Sequence, residues 1–126
     1  MLKIVELMPG ETANKEYVVL QNQGIVTVSL RGWALCGDTW LSGDVDRALS
    51  EIYIFRDDIA IKPYTRVVLF TSVGEDGWRP TTDGKQAYLA FWNKEWPVWS
   101  RCGYVHLLQV AGSRKVVDQS IIAHVG

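Results

Sequence analysis

The sequence holds little that would staple a fold or grip a metal. Its 126 residues include only two cysteines and two histidines. Cys36, Cys102, His106 and His124 lie far apart or on neighbouring strand positions, which excludes a four-ligand zinc site made of closely spaced pairs. Cys36 and Cys102 could pair only if the fold brings them together, and two free, mostly buried thiols are the expectation. No apolar run approaches the ~20 residues of a membrane span. The opening Met1-Leu2-Lys3-Ile4-Val5-Glu6-Leu7 has no basic region, apolar stretch or cleavage site of a secretory leader. The chain reads either as a whole small protein or as a domain cut from a longer one, so no compartment follows. An excess of one charge is missing too. Lys+Arg number 13 against 14 Asp+Glu, a formal net charge of −1, which removes the strongly basic surface that most simply argues for nucleic-acid binding. What is abundant is tryptophan, with six residues. The question is whether those rings are core or binding surface.

A hydrophobic fraction of 48% with 21% charged residues argues against disorder, and the length suits one domain spanning 1–126. The periodicity is that of strands. Leu2, Ile4 and Glu6 alternate with Lys3, Val5 and Leu7 before Pro9-Gly10. In 16–22, Val18, Leu20 and Asn22 share one side, and Tyr17, Val19 and Gln21 the other. Further strands are expected at 25–30, from Trp33, at 52–55, at 59–61 and at 65–71, which is rich in β-branched residues. Residues 72–86 read as loop, punctuated by Gly74, Gly77, Pro80 and Gly84. A short aromatic strand follows at 87–92, then an irregular loop to Gly103. The chain closes with a hairpin of 104–110 and 115–122 around Ala111-Gly112-Ser113-Arg114. Asp44 would cap one short helix near 44–51, with Val45, Ala48, Leu49 and Ile52 along one side. Short strands at this spacing imply an all-β sandwich or barrel of about eight or nine strands.

Several of these segments, in this order, resemble a lamin tail domain, an immunoglobulin-like module. Ile4-Val5-Glu6-Leu7 is similar to its opening strand, and Glu16-Tyr17-Val18-Val19-Leu20-Gln21-Asn22 to its E-(Y/F)-V-x-L-x-N signature. Leu30-Arg31-Gly32-Trp33-Ala34-Leu35 resembles L-x-G-W-x-L, and Tyr53-Ile54-Phe55 its Y-x-F strand, with Arg56 where proline is usual. Lys62-Pro63-Tyr64 stands at a turn before Val67-Val68-Leu69. Trp99 to Leu108 and Lys115-Val116-Val117-Asp118 resemble the closing elements, with Arg101-Cys102-Gly103-Tyr104 replacing the usual turn. The likeness covers about 4–121 and implies an immunoglobulin-like β-sandwich that serves as an interaction module, binding proteins and sometimes DNA. Read from the residues alone, Gly32 lets the chain turn a corner. Trp33 belongs between the sheets, and Asn22 suits a turn. Leu20, Leu30, Leu35, Phe55, Leu69, Val105 and Leu107 are the expected facing core.

Reactive constellations are absent from the pattern. Ser42, Ser100 and Cys102 are the nucleophile candidates and His106 the nearest base. Cys102 and His106, four apart on a strand, would lie ~13 Å from each other, beyond hydrogen-bond reach. His106 is expected to face solvent and Cys102 to be structural, so no enzyme activity is expected. The acids Asp38, Asp44, Asp46, Asp57 and Asp58 sit in loops, but their spacing matches no calcium loop. Neither a metal nor a cofactor is expected.

The aromatic loops carry more. Trp92-Asn93-Lys94-Glu95-Trp96-Pro97-Val98-Trp99 holds three indoles, Trp78-Arg79 lies in the preceding loop, and Trp40 in an earlier one. Trp33 and Trp99 are assigned to the scaffold, while Trp92 suits core and surface equally. Trp78, Arg79, Trp92, Lys94 and Trp96 form the candidate binding residues, since rigid aromatics with polar neighbours make interface anchors. A non-catalytic interaction module is therefore expected, with protein as the first partner class and carbohydrate, stacked on exposed tryptophan, as the second. DNA is third, through Lys3, Lys15, Arg31, Arg66 and Arg101. A homodimer through an edge strand is a further reading, from Val116, Val117, Ile121 and Ile122.

Overall fold

The computed structural model describes residues 1–38, 45–111 and 114–122, and over these the chain is all-β with one short α-helix and the 3-10 turns Ala13–Lys15 and Trp99–Arg101. Among the described residues the strands are β1 (Leu2–Met8), β2 (Tyr17–Asn22), β3 (Val28–Ser29), β4 (Trp33–Gly37), β5 (Ile52–Ile54) and β6 (Ala60–Ile61). They continue as β7 (Arg66–Phe70), β8 (Gly77–Pro80), β9 (Gln86–Phe91), β10 (Tyr104–Ala111) and β11 (Arg114–Ile122). Helix α1 (Val45–Ser50) falls within the span expected for it. Trp40, Ser42, Asp44, His124 and the turn at 112–113 lie outside the described residues, as do the side chains of Val45, Ala48, Val116, Val117 and Ile122.

One sheet has the order β1-β2-β7-β9-β8 and a second the order β11-β10-β4-β5, while β3 and β6 pair only with each other. Strands therefore exceed the expected eight or nine, and the surplus is short. The pair β3–β6 consists of two-residue strands. Strand β8 forms inside the stretch read as loop, because β9 offers it an antiparallel ladder. Gly77 and Pro80 hide it in the sequence, and proline is tolerated there because β8 is an edge strand. Its neighbour β9 runs parallel to β7, so the chain overshoots to the edge and returns between them. At the margin of the other sheet lies β11, the strand expected to offer a dimer edge.

Alternation sets the core. In β2, Val18, Leu20 and Asn22 are buried, and Leu2, Ile4, Val67 and Leu69 join Val18 and Leu20 in one hydrophobic cluster. Trp33, Leu35, Val105 and Leu107 enter that cluster from the second sheet, so both sheets enclose the same core. All the expected core residues are buried in it. Each such side chain removed from water contributes roughly 1.5–3 kcal/mol. A bulge in β1 between Ile4 and Glu6 breaks the simple alternation, leaving Val5 exposed and turning Leu7 towards the core.

Two expected corners form as the residues suggest. Gly32 adopts φ 88°, with its N–H on Phe55 O at 3.0 Å and its carbonyl accepting from Val110 N at 2.7 Å. Asn22 spreads its side chain over three backbone groups in two segments. Its Nδ2 donates to Val26 O at 2.8 Å and Ile61 O at 2.9 Å, and its Oδ1 accepts from Gly24 N at 3.0 Å. That clamp turns the chain early, so only Val28 and Ser29 of the expected 25–30 strand pair, and Ile25 and Val26 stay exposed.

Cys36 and Cys102 are buried and not joined as a disulfide. His106 corrects the expectation of a solvent-facing ring, since it is 6% exposed. The reason is position. Strand β10 is flanked by β4 and β11, Cys36 stands opposite His106 on one side, and Ser120 Oγ lies 2.6 Å from its Nδ1 on the other. No helix of the described residues is long and apolar enough to cross a membrane.

Candidate functional site

The structure divides the five candidate residues between two places. Trp92 leaves the end of β9 and packs inward, its ring 5.2 Å from that of Trp99 and edge-on to Tyr53 at 5.8 Å. Trp99 is fully buried and Trp33 nearly so, which makes both scaffold. Trp92 thus continues the core towards the surface, and burial of the same cluster pushes the Tyr53 hydroxyl up to about 12. Lys94 closes over Trp92, with Nζ 5.2 Å from the ring centroid, and donates to Ser50 O at 3.4 Å. Trp96, in the same loop, is 73% exposed.

Trp78 lies elsewhere. It pairs in register with Tyr88, four residues before Trp92, a separation of ~13 Å along the strand. Its ring stands edge-on to Tyr88 at 5.4 Å and is 39% exposed. Arg79 does not accompany it. The Arg79 guanidinium folds back to donate to Trp78 O at 3.1 Å and Glu75 O at 3.4 Å, lying along the rim of β8. Neighbours on a strand point to opposite faces, so the adjacent pair cannot form one contact surface.

Trp78 instead lines a groove of about 840 Å³ at the end of the sheet where β7 and β9 begin. Tyr64, 66% exposed, lines the same groove. Tyr64 occupies the third position of a turn closed by Thr65 N donating to Lys62 O at 3.1 Å, and its φ is 66°. That position ordinarily favours glycine, and a bulky residue there is strained. Asn22 O accepts from Tyr64 N at 2.6 Å and Gln21 Nε2 donates to Tyr64 O at 3.1 Å, which hold it in place. Lys62, Arg66 and Lys85 bring three cations to the walls. The one acid there, Asp83, is turned to its own hairpin. Its carboxylate accepts from Thr81 Oγ1 and from Lys85 N, which hold its pKa below the usual carboxylate range. Thr82 and Gln86 complete the polar wall.

Tyr64 and Lys85 escape the sequence reading, and Arg66 enters it only as one of five scattered cations. A signal exists for Tyr64: Pro63 suits the second position of a type I or type II turn, and in type II the following residue takes positive φ. Nothing local marks Lys85, because the groove joins β2, the 62–66 segment and the β8–β9 hairpin.

A second polar cluster lies beside α1. One ligand atom each of Asp38, Glu51 and Cys102 lies within 4.8 Å of the others, the only such group among the described residues. Gly37 makes the approach feasible, since a Cβ there would stand 2.6 Å from Cys102 Sγ and 2.9 Å from Glu51 Oε1. Arg47 Nε sits 3.2 Å from Glu51 Oε2 as an ion pair. Burial, then the charges of Glu51 and Asp38, push the Cys102 thiol up to about 12, and Sγ donates to Val98 O at 3.4 Å. A thiol so held is no thiolate nucleophile. Of the other loop acids among the described residues, Asp58 accepts from Ser29 Oγ, and Asp46 is exposed on α1.

Compared with known proteins, the chain matches no family model, and no curated protein is similar to it.

Proposed function

We propose that this chain is a non-catalytic interaction module with the immunoglobulin-like β-sandwich of lamin tail domains, and that the Trp78–Tyr64 groove receives a macromolecular partner. The resemblance is supported by what its signature residues do. Glu16 and Asn22 bracket β2 as buried hydrogen-bonding hubs, Gly32 turns the corner into Trp33, and Trp99 fills the core. Two sheets around one core agree with a sandwich. Protein is the partner class implied by the resemblance, and carbohydrate is the reading favoured by the groove's polar lining.

The observation that carries the proposal is the half-exposed Trp78 ring over a concave, polar-walled groove. A large aromatic left in water beside hydrogen-bonding groups is an unused contact area, and binding would cover it. Thermal melting of Trp78→Ala and Trp96→Ala is the test. Losing the Trp78–Tyr88 contact should cost about 1 kcal/mol, a shift of only a few degrees. If both substitutions collapse the fold, the rings are core and the proposal is wrong.

A further inference from the structure

We infer that the Trp78–Tyr64 groove binds an acidic polysaccharide, a chain of sugars carrying carboxylate or sulfate groups; this rests on the groove being the binding face. Three features of the lining point there together. Lys62, Arg66 and Lys85 converge on one groove, and among the described residues none of them has a carboxylate in ion-pair reach. Asp83, the one acid of the lining, stays ionised, but its carboxylate is engaged by Thr81 Oγ1 and the Lys85 N–H, and three cations outnumber it. Trp78 and Tyr64 supply flat amphipathic faces on which a sugar ring can lie, while Thr82 and Gln86 offer side-chain hydrogen bonds to hydroxyls.

The same lining disfavours the other chain molecules. A peptide added as a strand needs the open edge of β8, but Arg79 lies on that rim and engages the Trp78 carbonyl, and Pro80 lacks an N–H. A peptide anchored by side chains needs a desolvated aliphatic pocket, whereas the apolar lining beyond the aromatics is limited to Ala60, Pro63 and Ala87. A nucleic acid needs phosphate contacts along a track, whereas this groove offers three cations, Lys62, Arg66 and Lys85, on a chain of net charge −1. Tyr64 adds an independent mark. Its positive φ costs on the order of 1–3 kcal/mol, and strained residues of this kind cluster at ligand clamps.

Affinity electrophoresis of the full chain tests this, in gels containing polygalacturonate, heparin, dextran or oligo(dT). Polygalacturonate or heparin should retard the chain, with the two gels telling carboxylate from sulfate, and raised salt should relieve the retardation. The combined Lys62→Ala, Arg66→Ala, Lys85→Ala variant and the separate Trp78→Ala variant should each bind roughly tenfold more weakly. Trp96→Ala should keep full retardation, and melting curves confirm that each variant is folded. Equal retardation of the natural chain and the triple variant overturns the inference, as does no retardation in either acidic gel. Stronger retardation by dextran or oligo(dT), lost in Trp78→Ala, also overturns it while keeping the groove as the binding face. Collapse of the fold on loss of the Trp78 and Trp96 rings would instead remove the proposed function itself.

Discussion

The carboxylate of Glu16 accepts the backbone N–H of Trp99 at 2.8 Å, across most of the length of the chain. The same Oε1 accepts from Val98 N at 2.9 Å and Thr71 Oγ1 at 2.9 Å, and Oε2 from Gly10 N at 3.4 Å. One fully buried side chain therefore ties the turn before β2, the end of β7 and the segment that seats the Trp99 ring. Glu16→Ala strands these buried donors and should cost about 3–5 kcal/mol, since each buried donor left unsatisfied costs about 1–3 kcal/mol. Thr71→Val, which removes one donor, should cost about 1–1.5 kcal/mol. Urea unfolding measures both, and a loss below that of Thr71→Val for Glu16→Ala would contradict the hub role.

Gly37→Ala should destabilise by about 1–3 kcal/mol or more, because its Cβ has no room beside Cys102 Sγ and Glu51 Oε1. Shortening Cys102 to alanine removes the nearer obstacle. In a double-mutant cycle, Gly37→Ala should therefore cost less in the Cys102→Ala background than alone. Strict additivity of the two would show that the strain lies elsewhere.

His106 gives the chain a pH dependence of definite sign. Burial lowers its pKa from the ordinary value, with the Asp38 charge pulling weakly the other way. The folded value lies below the unfolded one, so this contribution is full above the unfolded pKa and is lost as pH falls through the folded one. Melting temperature should fall between about pH 7 and pH 5, and His106→Gln should flatten that fall. Equal slopes for the two proteins would assign the pH dependence to other groups.

Trp92 and Trp96 lie in one loop but should respond differently to truncation. Trp92→Ala removes contacts with Trp99 and Tyr53 and should cost about 2–4 kcal/mol, near the range for large-to-small core changes. Trp96→Ala, at an exposed ring, should stay within about 0.5 kcal/mol. Denaturant midpoints of the two variants decide it; similar losses would place Trp96 in the scaffold.

Most of the core is legible in the sequence because strand alternation writes it there. Val18, Leu20 and Asn22 are buried as their spacing demands, and Leu35, Leu69, Val105 and Leu107 face the same cluster. Where the sequence misleads, a long-range partner decides. Gly77 and Pro80 have poor strand propensity, yet β9 supplies their ladder. His106 is polar, yet its strand is interior to a sheet. Trp78 was visible as an anchor, but its nearest sequence neighbour, Arg79, is not its companion. The companions, Tyr64 and the cations Lys62, Arg66 and Lys85, come from distant segments that only the sheet order brings together.

The strand order also governs when the chain can fold as it is synthesised. Strand β7 waits for β9 to cover its open side, and β9 arrives only after the detour through β8. Strand β4 waits longer, because β10 alone joins it to β11. Until residues 104–111 have left the ribosome, Leu35 and Trp33 have no complete sheet around them, and the apolar face of the first sheet lacks its cover. A nascent chain halted before β10 should therefore be sticky and protease-sensitive, and protection should appear in one late step rather than strand by strand.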